Sequence, residues 1–222
     1  MRSTLCRPVR TLIFLGLCTV AVWAQNPAPA QPAKRATSTP YTGDLSVFDA
    51  AGREQRLHIN RVMDILRIAR GKGVADIGAG SGWFTVRAAR RVGPSGTVYA
   101  VDINPEAVRY IDGRVHRESL PNVKTILSKP DDPMLPQGAV DAVLLLKTYH
   151  EVADPVALLE HLRRALRPGA RLGIIDRNGN GTDHGVGRKI VVEEAERAGY
   201  RLVETYKFVG DGMDYFLVFM VA

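Results

Sequence analysis

The sequence predicts an α/β domain with a mostly parallel sheet, closed by an antiparallel hairpin at its C-terminus. Three observations predict it. From about residue 55 onward, short apolar runs alternate with segments of helical period. One run, Val140 to Leu146, is apolar nearly throughout, as a strand covered on both faces must be. The last two runs, Arg201 to Lys207 and Asp214 to Val221, are separated by too few residues for a helical crossover, so they must pair antiparallel.

The elements follow in order. Ile59, Val62, Met63, Leu66 and Ala69 repeat at helical spacing. Val74 to Ile77 is a short strand that ends in glycines, and a helix runs from Gly82 to about Arg91. Thr97 to Asp102 is the second strand. Asn104 can cap the next helix, with Pro105 in its first position and Val108, Ile111 and Val115 along one face. Val123 to Leu127 and Val140 to Leu146 are the third and fourth strands. Asp154-Pro155 opens a helix carrying Leu158, Leu159, Leu162, Ala165 and Leu166, which Pro168-Gly169 ends. Leu172 to Ile175 is the fifth strand. Val191, Ala195 and Ala198 stripe the last helix, and Gly199 stops it before the hairpin.

The chain has 222 residues, 45% of them hydrophobic, enough for one domain with a sizeable core. Its organisation reads as a secretory signal over residues 1–24, a Pro/Ala-rich tether over 25–44 and a single domain over 45–222. The leader has a basic start (Arg2, Arg7, Arg10), then the apolar run TLIFLGLCTVAVWA, with small residues Val22 and Ala24 placed for cleavage after Ala24. That run is short for a membrane span, so the expectation is an exported, periplasmic or secreted chain with no span in its mature form; an uncleaved N-terminal anchor is the alternative. The formal charge of +7 owes three charges to the leader. The remaining +4 gives no ground for a nucleic-acid partner. Both cysteines, Cys6 and Cys18, also fall in the leader, which removes thiolate nucleophiles and zinc-thiolate sites from the body.

Between the first strand and its helix lies the turn Asp76-Ile77-Gly78-Ala79-Gly80-Ser81-Gly82. Glycines there let a ligand approach the backbone with no Cβ in the way. The spacing is G-x-G-x-G; a dinucleotide turn needs a glycine where Trp83 stands, and a P-loop needs Lys-Ser/Thr. Asp76 would repel a phosphate and suit a cationic ligand. Asp102, at the end of the second strand, is placed to accept both hydroxyls of a ribose. Together these ask for a positively charged nucleoside without phosphates. A nicotinamide-dependent oxidoreductase is disfavoured by Trp83 and Asp76.

The segments VADIGAGSG, AVDINPEAV, PDDPMLP, VDAVLLLKTYHEV and LRPGARLGIID, in this order over residues 45–222, resemble the class I S-adenosylmethionine-dependent methyltransferases. The resemblance is strongest to the small-molecule enzymes of the ubiquinone/menaquinone and arsenite type. It implies a Rossmann-like, doubly wound sheet of seven strands with the last one inserted antiparallel, and S-adenosyl-L-methionine as cofactor. It also implies that Gly78, Ala79, Gly80 and Gly82 pass the methionine part, with Asp76 near its ammonium. Asp102 would hold the ribose, Ile103 would pack on adenine, Asp131 or Asp132 would face the adenine amino group, and the backbone at Lys147 would close over the methionine end. A small-molecule methyl acceptor follows. Arsenite is disfavoured, because the mature chain lacks the thiols that would hold it.

Methyl transfer from a sulfonium is a one-step displacement, and alignment alone contributes about 7–11 kcal/mol. A base is needed only if the acceptor must lose a proton, and contributes typically about 10²–10⁴-fold. His150 is the candidate base, by its near-neutral ordinary pKa; Tyr149 is the candidate for the acceptor wall. Both also have a purely structural reading. Glu151 could orient His150, but adjacent side chains rarely point the same way. Tyr41 to Asp49, with the first helix, would form a lid. The run from Asp176 to Gly181 mimics a calcium loop, but Gly187 stands where the bidentate Glu is required. His184 could border the acceptor, and His58, His116 and His161 read as solvated. No metal is expected. The export signal, set against a cofactor made in the cytoplasm, keeps a second reading open: a non-catalytic nucleoside-binding or interaction module on the same fold.

Overall fold

The computed structural model describes residues 34–37 and 41–222; the predicted signal segment lies outside them. A 3₁₀ turn at Leu45–Asp49 leads into α1 (Arg53–Leu57), α2 (Ile59–Ile65), β1 (Gly73–Ile77), α3 (Trp83–Val92), β2 (Thr97–Asp102), α4 (Pro105–Arg117) and β3 (Val123–Leu127). Then come β4 (Val140–Leu146), a 3₁₀ turn at Tyr149–Glu151, α5 (Pro155–Arg163), β5 (Leu166–Asp176), α6 (Arg188–Arg197), β6 (Tyr200–Tyr206) and β7 (Tyr215–Val221). The sheet order is β3-β2-β1-β4-β5-β7-β6. The first five strands are parallel, and β7 is antiparallel to both β5 and β6.

This order positions the site. From β1 the chain winds outward through β2 and β3, then returns to lay β4 on the other side of β1. The connections at the carboxyl ends of β1 and β4 therefore diverge and leave a crevice, the place where open parallel sheets bind ligands.

The two faces of the sheet are sorted by the period-2 alternation of strand side chains. Ala142, Leu144 and Leu146 of β4 pack with Leu57, Val62 and Phe84 of the helices on one face. Val143 and Leu145 pack with Leu158, Leu159, Leu162, Val191 and Ala195 on the other. Asp141 is the polar exception in β4, and it is spent on structure: its carboxylate accepts from the Gly73 amide at 2.9 Å and pairs with Lys72 and Arg167.

The caps fall as read. Asn104 accepts from the Glu106 amide at 2.9 Å, and Asp154 from the Ala157 amide at 3.2 Å. Three boundaries differ. The first predicted helix ends at Ile65 and is followed by Arg67 in the left-handed region (φ 58°). α5 stops at Arg163, and β5 begins at Leu166, because Leu166 already pairs with Val140 of β4, ahead of an irregularity that ends at the Ala142–Arg171 pair. The tether is not loose where it is described. The Arg35 guanidinium lies 2.8 Å from Glu194 and donates to the carbonyls of Tyr149 and Val152.

Candidate functional site

A cavity of about 650 Å³ opens at the carboxyl edge of β1, β2 and β4. The glycine turn forms its floor. Gly78 and Gly80 both sit in the left-handed region, with φ of 71° and 55°. A Cβ on Gly78 would lie 2.2 Å from the Thr148 methyl, whereas one on Gly80 would project toward Phe48 at 3.6 Å. The first glycine thus lets the β1 and β4 turns touch, and the second keeps the floor low. Three amides of this turn are already engaged. Gly78 and Ala79 donate to the Val101 carbonyl at 2.8 and 3.1 Å, and Gly80 donates to the Asp102 carboxylate at 2.9 Å. They are not turned outward to cradle a phosphate.

Asp102 is the organising carboxylate. It borders the cavity and also accepts from the Asn104 amide at 2.9 Å. Burial raises its pKa, opposed by amide donors from Asn104, Gly80 and Ile103. Ile103, the next residue, stays 46% exposed although it is large and apolar, and it lines the same cavity. Asp76 also borders the cavity but is buried beneath the turn, where Thr85 donates to it at 2.6 Å. Burial pushes its pKa up to about 7, against the hydrogen bonds from Thr85. Its charge at neutral pH is therefore partial, and the predicted repulsion of phosphate rests more on the engaged amides than on Asp76.

The opposite wall follows β4. Lys147 adopts φ 56°, with its amide donating to the Ile175 carbonyl at 2.8 Å, and it lines the cavity. The turn it starts carries His150, 1% exposed at the cavity edge. Its Nδ1 lies 2.9 and 3.0 Å from the two carboxylate oxygens of the fully buried Asp176. Glu151 is not the orienting partner; its Oε1 lies 3.8 Å from Nε2. Burial raises the Glu151 pKa, opposed by His150.

Three placements refine the expected site. Tyr149 does not line the cavity: it is fully buried and its hydroxyl donates to Glu194 at 2.9 Å, beneath the Arg35 guanidinium. Asp131 and Asp132 sit in the expected loop, yet Ser128, Lys129, Pro130 and Pro133 are its cavity-lining residues. The Asp131 carbonyl engages His161 Nδ1 at 2.6 Å, so His161 is not merely solvated, and the Asp132 carboxylate accepts from the Met134 amide at 2.8 Å. Finally, His184 comes within 5.9 Å of His150, ring centre to ring centre.

The roof comes from the segment before α1. Tyr41, Leu45 and Phe48 line the cavity, and Tyr41 and Phe48 meet edge to face at 5.2 Å. Asp49 pins this roof to the floor, accepting from Ser81 Oγ at 3.0 Å and from Arg114 at 2.8 Å. Sequence reasoning missed Asp176, Thr85 and the Asp49-Arg114 pair. A signal existed for the first: like Asp102, Asp176 closes an apolar parallel strand at the ligand edge.

Residues 74–169 match a family described as a methyltransferase domain. The chain is 33% identical over 129 residues to nocamycin O-methyltransferase of Saccharothrix syringae, covering 58% of this chain and 46% of that one. It is 27% identical over 110 residues to a demethylmenaquinone methyltransferase of a Geobacillus strain, covering 50% and 47%. The chain spans about half the length of these curated relatives. A crystal structure of a SAM-dependent methyltransferase from Aquifex aeolicus superposes with a TM-score of 0.73 at 27% identity, over 80% of this chain and 97% of that one. These likenesses support a class I S-adenosylmethionine-dependent methyltransferase domain in this chain.

S-adenosylmethionine is the cofactor of this methyltransferase family, and the cavity fits it. A carboxylate suited to a diol, an exposed isoleucine suited to a purine face and a glycine floor lie together in one cleft. The seven-stranded sheet with its inserted antiparallel strand is the one the resemblance implied. Among the described residues, no helix is long and apolar enough to cross a membrane.

Proposed function

We propose that the chain transfers a methyl group from S-adenosylmethionine to a small molecule by direct displacement. One observation carries this reading: Asp102, Ile103, Gly78, Ala79, Gly80 and His150 line one cavity. When bound, the cofactor supplies an activated methyl on a sulfonium that becomes neutral as the methyl leaves.

The chain's own residues align and enclose the reaction. Asp102 would accept from the ribose hydroxyls, with the Gly80 amide fixing the carboxylate in place. Ile103 would cover one face of the purine. Gly78, Ala79 and Gly82 would shape the floor under the methionine part, and Lys147 would bound its far end. Asp76 would meet the ammonium, which would draw it to the ionised form. Asp131 or Asp132 would act on adenine through the loop that Lys129 and Pro130 present, rather than by lining the cleft. Tyr149 would serve by holding His150's turn in position, not by touching the acceptor.

His150 would take the acceptor's proton. With Asp176 accepting from Nδ1-H, the lone pair stands on Nε2. The roof residues Tyr41, Leu45 and Phe48, with Trp83, Phe84 and Leu158, favour an acceptor of low polarity, such as an apolar ring bearing a hydroxyl. The name of one curated relative, nocamycin O-methyltransferase, agrees with an oxygen acceptor. The leader read from the sequence would place the mature enzyme outside the cytoplasm.

The test is calorimetric titration with S-adenosylhomocysteine, then labelled methyl transfer into fractionated small-molecule extracts. Binding with transfer supports the reading. Absence of binding at millimolar ligand sinks it, and binding without transfer to any extract returns the chain to a non-catalytic nucleoside-binding role.

A further inference from the structure

His150, Glu151 and His184 each offer a ligand atom, and these atoms lie within 4.8 Å of one another. All three residues line the cavity. Two imidazoles and one carboxylate are the donor set that holds a divalent transition metal while leaving positions open for a substrate. Sequence spacing hid this set, because His184 is 33 residues beyond Glu151 and arrives by the loop after β5.

His150 is prepared as a ligand by a separate feature. Asp176 is fully buried and engages Nδ1 with both oxygens, while also accepting from the amides of His150 at 3.1 Å and Arg177 at 2.9 Å. A carboxylate on Nδ1 makes that nitrogen the donor and leaves the lone pair on Nε2. Nε2 is the nitrogen that faces Glu151. A carboxylate behind a histidine is the usual outer support of a metal-binding imidazole: it fixes the tautomer and raises the basicity of the outer nitrogen. A histidine buried only for packing needs no such aim.

The distances are workable. An ion about 2.0–2.2 Å from each atom needs those atoms roughly 3.0–3.5 Å apart, so the cluster must contract by about an ångström. His150 is held, so the contraction falls to Glu151, which is half-buried, and to His184, which is exposed on its loop. Lys147 and Arg177 stand on the same wall and oppose a cation; Glu151 and Asp176 offset them.

We propose that His150 Nε2, Glu151 and His184 bind one divalent transition-metal ion of the zinc type, with its open positions facing the acceptor side of the cavity. Metal binding stands apart from the methyl-transfer reading; only its use, holding an acceptor oxygen, rests on that reading. With the ion in place Nε2 is a ligand and no longer a base. Coordination then eases the acceptor's loss of a proton to solvent, as it does for metal-bound water.

The experiment uses the full, untagged chain, stripped with a chelator. Co²⁺ is titrated by visible absorption and Zn²⁺ by competition with a chromophoric chelator. One equivalent per chain is expected. His184→Ala and Glu151→Gln should each weaken binding by about tenfold or more. Asp176→Asn, if its circular dichroism matches wild type, should weaken it about 10–100-fold. His116→Ala, on the exposed face of α4, should change nothing. No stoichiometric uptake, or wild-type affinity in both His184→Ala and Glu151→Gln, overturns the site. S-adenosylhomocysteine titration of the stripped chain separates the two readings, since its failure would sink the methyltransferase reading and leave the metal result standing.

Discussion

Asp76→Asn tests the electrostatics under the glycine turn. The wild-type carboxyl titrates at 3.8 in a solvated reference and at about 7 in the folded chain, raised by burial. Between those values the folded chain holds a proton that the unfolded chain has lost. Stability from this group is therefore greatest at low pH and falls as pH rises through the interval, becoming constant above about 7. The slope is at most about 1.4 kcal/mol per pH step, so the interval amounts to a loss on the order of 4 kcal/mol. Asparagine keeps the acceptor for Thr85 and removes the titration. Urea unfolding of both proteins from pH 4 to pH 8.5 should show the variant gaining on wild type up to neutrality, then running parallel. Curves parallel throughout would refute a protonated, buried Asp76.

Further outcomes follow from the same geometry. Asp102→Ala should raise the dissociation constant of S-adenosylhomocysteine by about 10–100-fold, read by calorimetry, because it removes the acceptor of two hydroxyls. His150→Ala should lower methyl transfer while sparing that affinity; unchanged transfer would return His150 to a structural role. Arg35→Ala leaves the buried Glu194 without its cation and should cost about 1–3 kcal/mol, a fall of several degrees in Tm by calorimetry. Mass spectrometry of the exported protein should find Gln25 first; an intact leader would refute cleavage after Ala24.

The strands, their order of appearance and the antiparallel ending were legible because burial on two faces writes itself as continuous apolar runs, and a short loop excludes a crossover. The glycine turn and Asp102 were legible for a similar reason: they lie within one βαβ unit, where sequence spacing is spatial spacing. What the chain alone could not show is which polar groups spend themselves on each other. Asp76 looks available in sequence, yet its burial beside Thr85 changes its charge. Tyr149 and His150 are neighbours in sequence, but the turn sends one beneath α6 and the other to the cavity. Asp176 and His184 reach His150 only because β5 lies beside β4 and its following loop folds back over their ends. Local pattern determines elements, since it acts through the backbone of adjacent residues. Charge state and side-chain partnership depend on what the fold brings close, and sheet order decided that here.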